Sequence, residues 1–102
     1  MNSSQSRARS KSAWVEKAEA KLEQLDARIA LLKAKAKEAQ AETRQGIHQQ
    51  IDALEKLKSD LGGKSSELKA ASAEAWEDVK HGMESAMQEL SNAVDEAMAR
   101  YR

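Results

Sequence analysis

From Ala18 to Ala39 the apolar residues recur at gaps that alternate between four and three: Ala18, Leu22, Leu25, Ile29, Leu32, Ala36 and Ala39. That spacing is the seam of an α-helix packing against other helices. It makes this an all-α chain, because no proline interrupts the pattern anywhere in the 102 residues. The seam continues through Ile47, Ile51, Leu54, Leu57 or Lys58, and Leu61. The eight residues from Ala39 to Ile47 and the four to Ile51 make successive gaps of four, and such stutters relax a left-handed supercoil toward straight winding.

Composition agrees with long helices. Nineteen residues are Ala, a third are charged, and only Trp14, Trp76 and Tyr101 are aromatic, so large apolar side chains are too few for a thick globular core. The 17 basic and 17 acidic groups cancel, which removes the bulk positive field that marks nucleic-acid binders. Without cysteine there are no disulfides, thiolate nucleophiles or zinc-thiolate sites. No apolar run approaches the roughly 20 residues that span a bilayer, and the N-terminal residues lack the apolar stretch of a secretory signal. The expected location is therefore the cytoplasm.

Four segments are expected. Residues 1–11, rich in Ser with Arg7, Arg9 and Lys11, read as a disordered basic tail that could touch phosphate or acidic lipid. Residues 12–61 read as one long heptad helix with Ser12 as its N-cap. Residues 62–66 read as a hinge, because Gly62 and Gly63 suit the left-handed position that ends a helix. Residues 67–102 read as a second amphipathic helix. The hinge predicts a long antiparallel hairpin in which Leu22 meets Tyr101, Leu25 meets Met98, Ile29 meets Val94 and Leu32 meets Leu90. A hinge at Gly46 is the alternative, pairing Leu25 with Leu68 and Leu32 with Leu61. Charge favours side-by-side halves: residues 1–63 carry 12 basic and 9 acidic groups, a net of +3, and residues 64–102 carry 5 and 8, a net of −3. One hairpin buries only a narrow, Ala-rich seam per helix, so two or more chains are expected to associate into a coiled-coil bundle.

The C-terminal segment repeats every eleven residues. Ala75-Trp76-Glu77-Asp78-Val79-Lys80-His81-Gly82-Met83-Glu84-Ser85 stands in register above Ala86-Met87-Gln88-Glu89-Leu90-Ser91-Asn92-Ala93-Val94-Asp95-Glu96, then Ala97-Met98-Ala99-Arg100-Tyr101. Eleven residues make three turns, so the apolar stripe keeps nearly straight along the helix. This segment resembles the tail of a group of small bacterial coiled-coil proteins of uncharacterised function, which pair a long Lys/Glu/Ala-rich helix with an "AWEDLKxGxExAW" repeat. The chain departs from that pattern at Met87, where a second Trp would stand, and at Gly62-Gly63. More loosely, the period is similar to that of apolipoprotein-like and late-embryogenesis-abundant-like helices. These resemblances imply a helical protein and no catalytic residues.

Little in the sequence points to chemistry. Glu77 and Asp78 precede His81 by four and three residues, a conceivable metal corner, but no second His follows at helical spacing. His48 has no partner in sequence. Lys33, Lys35 and Lys37 read as a solvated face, with phosphate or anionic lipid as the sharper reading. Phosphate-binding loops, nucleophile elbows and aromatic base platforms are all missing from the sequence. The chain therefore reads as a non-enzymatic structural or interaction protein that needs no cofactor, metal or small-molecule substrate. It is expected to self-associate, or to bind a helical partner, through Leu22, Leu25, Ile29, Leu32, Ile47, Ile51, Leu54, Trp76, Val79, Met83, Leu90 and Val94. The alternative is reversible binding of a lipid or other apolar surface by the C-terminal helix. Nucleic acid is the least favoured partner.

Overall fold

A computed structural model describes the backbone of residues 3–101, and the side chains of Lys11 and of residues 13–101. It contains three helices packed together: α1 (Ser3–Glu38), α2 (Ala41–Ala70) and α3 (Ala73–Arg100). Among the described residues no strand occurs. The rod they form measures 61 × 19 × 16 Å.

Cross-links between the helices fix their directions. Lys33 Nζ lies 2.8 Å from Glu55 and Lys58 Nζ lies 2.8 Å from Asp26, so position rises along α1 as it falls along α2, and the pair is antiparallel. Gly82 approaches Lys64, and Gly46 lies against Tyr101, so α2 and α3 are antiparallel as well. By contrast, Arg28 reaches Asp95 at 2.6 Å, and Lys35 Nζ donates to the Tyr101 carbonyl at 2.8 Å. Helices α1 and α3 therefore run parallel, and they share the least extensive contact of the three pairs.

The two-helix hairpin is thus replaced by three helices. The chain turns at Ala39-Gln40 and at Ala71-Ser72, while Gly62 and Gly63 lie inside α2 and Gly46 in its second turn. Each turn uses extended residues: Gln40 has φ −67° and ψ 159°, Ala71 −69° and 141°, Ser72 −66° and 166°. Local bonds satisfy the loose ends. The Ser72 hydroxyl accepts from the Ala75 N–H at 3.2 Å, an N-cap for α3. Arg44 closes α1 from the other side of its turn, donating from Nε to the Ala36 carbonyl at 3.1 Å and from Nη2 to the Ala39 carbonyl at 2.8 Å. A cation on helix-terminal carbonyls is favourable for both hydrogen bonding and the helix dipole. Arg44→Ala should therefore cost about 1–2 kcal/mol in chemical denaturation, where an ordinary exposed arginine costs almost nothing.

Burial explains why α2 runs through its glycines. Its buried positions Ile47, Leu54, Leu61 and Leu68 step by seven, with Ile51 between the first two. A break at Gly62-Gly63 would take Leu61 and Leu68 off one continuous face. Burying each leucine is worth ~1.5–3 kcal/mol, whereas each interior glycine costs about 1 kcal/mol against alanine. The core wins, and the helix continues.

The same seven-residue step recurs in the other helices: Ala18, Leu25 and Leu32 in α1, and Trp76, Met83, Leu90 and Ala97 in α3. Burial in α3 follows the eleven-residue match of residue types only in part: Met83 and its counterpart Val94 are both enclosed. Met87, the counterpart of Trp76, is half-buried, and Val79 is half-buried where its counterpart Leu90 is fully enclosed. Neighbouring helices with a period of seven present their side-chain layers at that interval, and α3 packs in step with them.

The N-terminal expectation also changes. The backbone is helical from Ser3, so residues 3–11 extend α1 and Ser12 lies within it, not at its cap. Once a helix is nucleated, each further residue adds a hydrogen bond without needing apolar contacts. The side chains of Arg7, Arg9 and Ser12 lie outside the described residues.

An exposed ionic network joins α1 to α2. Asp26 pairs with Lys58, which lies 3.6 Å from Glu55, itself paired with Lys33. The hydrogen bond from Lys33, with help from Lys58, holds the Glu55 carboxyl below the usual carboxylate range. The hydrogen bond to Asp26 raises the Lys58 ammonium above the usual lysine range. For Glu55 the contribution is complete at neutral pH and disappears as pH falls below ordinary carboxylate titration, near pH 4. For Lys58 it disappears as pH rises beyond ordinary lysine titration, above about pH 10. Solvent screening limits each pair to ~0–1 kcal/mol. Urea midpoints measured against pH should therefore be flat between these limits, and Lys33→Met should shrink the acid-side fall.

Candidate functional site: the open seam between α1 and α3

A hollow along the rod follows from how α1 and α3 are joined. Towards the C-terminal end of both helices, Arg28–Asp95 and Lys35 on the Tyr101 carbonyl hold them together. Nearer their N-terminal ends the floor residues are small, Ala18 and Ser91, and the seam opens into a groove of about 450 Å³. Trp14 and Met87, both half-buried, form its apolar walls. Lys17 and Lys21 stand on the α1 rim, with Glu84 and Gln88 on the α3 rim. Ser91 is only 9% exposed.

An aromatic cluster terminates the groove. Trp14 and Trp76 meet edge to face, with ring centroids 6.0 Å apart and planes at 81°. Lys80 Nζ lies 5.9 Å from the Trp14 ring and 5.6 Å from that of Trp76, and Lys11 Nζ lies 5.4 Å from Trp76. At these distances the ammonium groups are attracted to the ring faces. The half-buried indole of Trp14 gives this region a fluorescence reporter.

The expected interface residues occupy the core. Leu25, Ile29, Leu32, Ile47, Ile51, Leu54, Trp76, Met83, Leu90 and Val94 are buried against one another within one chain, and Leu22 and Val79 are half-buried at its margin. They hold the chain's own helices together. Ala36 and Leu61 of the same seam belong to this core, as do Leu68 and Ala97, to which seven-residue steps from Leu61 and Leu90 lead. The groove residues Lys17, Lys21, Glu84 and Ser91 flank the seam, and only helix neighbourhood reveals them.

The metal corner does not assemble. His81, with a 71% exposed side chain, lies 3.9 Å from Glu77 and 3.6 Å from Glu84, and Asp78 takes no part. Among the described residues, no group of three His, Cys, Asp or Glu side chains could hold a metal. His48 is exposed. Of the three alternating lysines, Lys33 and Lys35 make the cross-links described above, and Lys37 faces solvent. Among the described residues, no helix is long and apolar enough to cross a membrane. No known family, curated protein or solved structure matches the chain.

Proposed function

We propose that the chain is a non-enzymatic structural protein that acts through helix association, as a preformed module whose outer surface docks a helical partner. The observation that supports this reading is the division of labour between two surfaces. The seven-step core is closed within one chain, and the half-open α1–α3 seam retains Trp14, Met87 and charged rims on the outside.

Lipid binding by a released α3 is the competing reading. Its apolar stripe includes Trp76, Met83, Leu90 and Val94, all buried here. Releasing those four side chains would cost roughly 6–12 kcal/mol, comparable to the whole stability of an ordinary domain. Circular dichroism distinguishes the two. The module predicts full helicity in buffer with a cooperative melt, unchanged by phosphatidylserine vesicles. Helix that forms only when vesicles are added would overturn it.

A further inference from the structure

We infer that the face formed by α1 and α3 docks on the same face of a second copy of this chain, about a two-fold axis parallel to the helices. The inference rests on the interaction reading above and names its partner. The argument begins with charge. Helix α1 carries nine basic and five acidic groups, a net of +4; α3 carries two and seven, a net of −5; α2 carries five of each. The neutral total is therefore a cancellation between two adjacent parallel helices, and the face they share is positive along one side and negative along the other.

Such a face complements itself under only one kind of two-fold rotation. An axis parallel to the helices lays α1 of one copy over α3 of the other, at the same level along the rod. An axis perpendicular to the helices lays α1 on α1, positive on positive. In the first arrangement Lys17 and Lys21 of each copy lie opposite Glu77 and Glu84 of the other. Among the described residues, those two lysines have no ionic partner, and Glu77 and Glu84 touch only His81. Lys80 is an exception to the pattern on α3, and it lies over the tryptophan rings.

The face also carries what an interface centre needs. The groove holds the half-buried apolar side chains of Trp14 and Met87. Leu31, 54% exposed, is the one large apolar side chain exposed among the described residues. It lies three residues after Arg28 and four before Lys35, both of which reach α3, so it shares their side of α1. Helix α3 is about 42 Å long. With the rod's 19 Å width the face projects roughly 800 Å², close to the ~800 Å² per partner of a stable protein interface. A two-fold pair uses such a patch twice, each side meeting its complement.

The test is sedimentation of the intact chain with paired charge reversals. The wild type should form a dimer that weakens as salt is raised. Lys17→Glu with Lys21→Glu places acid against acid at both contacts, and Glu77→Lys with Glu84→Lys places base against base. Each double variant should dissociate about tenfold or more readily than wild type. An equimolar mixture of the two restores opposite charges at both contacts, so it should return to dimer. Circular dichroism on each variant shows that the exposed reversals leave the helices formed. A fully helical wild type that stays monomeric up to about 1 mM overturns the dimer while leaving the interaction reading intact. A mixture that fails to recover overturns the parallel axis.

Discussion

Replacing Leu61 with Ala should cost about 2–5 kcal/mol, among the largest effects any single substitution in this chain can have. Leu61 is fully enclosed, midway along the α2 seam between Leu54 and Leu68. Truncation removes the transfer energy of the lost methyl groups and leaves a cavity that rigid flanking helices fill only partly. A domain of this size is ordinarily stable by ~5–15 kcal/mol, so the denaturation midpoint should fall steeply. The result also separates the three-helix arrangement from a hairpin. In a hairpin turning at Gly62-Gly63, Leu61 would stand beside an exposed hinge and its loss would be slight. Urea denaturation followed by circular dichroism decides, and a change under about 0.5 kcal/mol, typical of surface sites, would reject the enclosed position.

The double substitution Gly62→Ala with Gly63→Ala should do the opposite and stabilise the protein. Neither glycine has positive φ, and a Cβ built on either meets nothing within 4 Å. Inside a helix each glycine costs about 1 kcal/mol relative to alanine, chiefly through the greater freedom of the unfolded chain. The pair should therefore add about 2 kcal/mol and raise the melting temperature by about 8–16 °C. At a left-handed helix end the same change would be destabilising, because alanine pays for its Cβ there. The sign alone locates the turn. Gly46 behaves differently, since a Cβ there would come within 2.7 Å of the Tyr101 hydroxyl. Any propensity gain from Gly46→Ala is opposed by displacement of that ring.

The helical class and most of the core were legible in the residues, because amphipathic spacing directly reports which face of a helix is covered. Leu25, Ile29, Leu32, Ile51, Leu54, Leu90 and Val94 are all enclosed, as their spacing requires. The turns were much less legible. Gly62-Gly63 is the strongest local break signal, yet the chain turns at Ala39-Gln40 and Ala71-Ser72, where Ser72 is the only residue with a strong capping preference. Arg44 closes the first turn from five residues away, a contact that no local pattern announces. The groove was illegible for a related reason: its lining comes from residues 14–21 of α1 and 84–91 of α3, far apart in sequence and brought together only by the parallel packing of the two helices.

By itself, then, the sequence determined that the chain is helical, which residues make up most of its core, and that its neutral charge hides segments of opposite sign. Those properties follow from spacing and from residue type. Tertiary structure decided where the helices end, that α1 and α3 run parallel, and that the apolar seams close on one another within one chain. A seven-residue repeat matches itself at many offsets, so periodicity alone leaves the register and the number of helices open. The choice falls to the sum of burial over all three helices, where enclosing Leu61 and Leu68 outweighs two interior glycines.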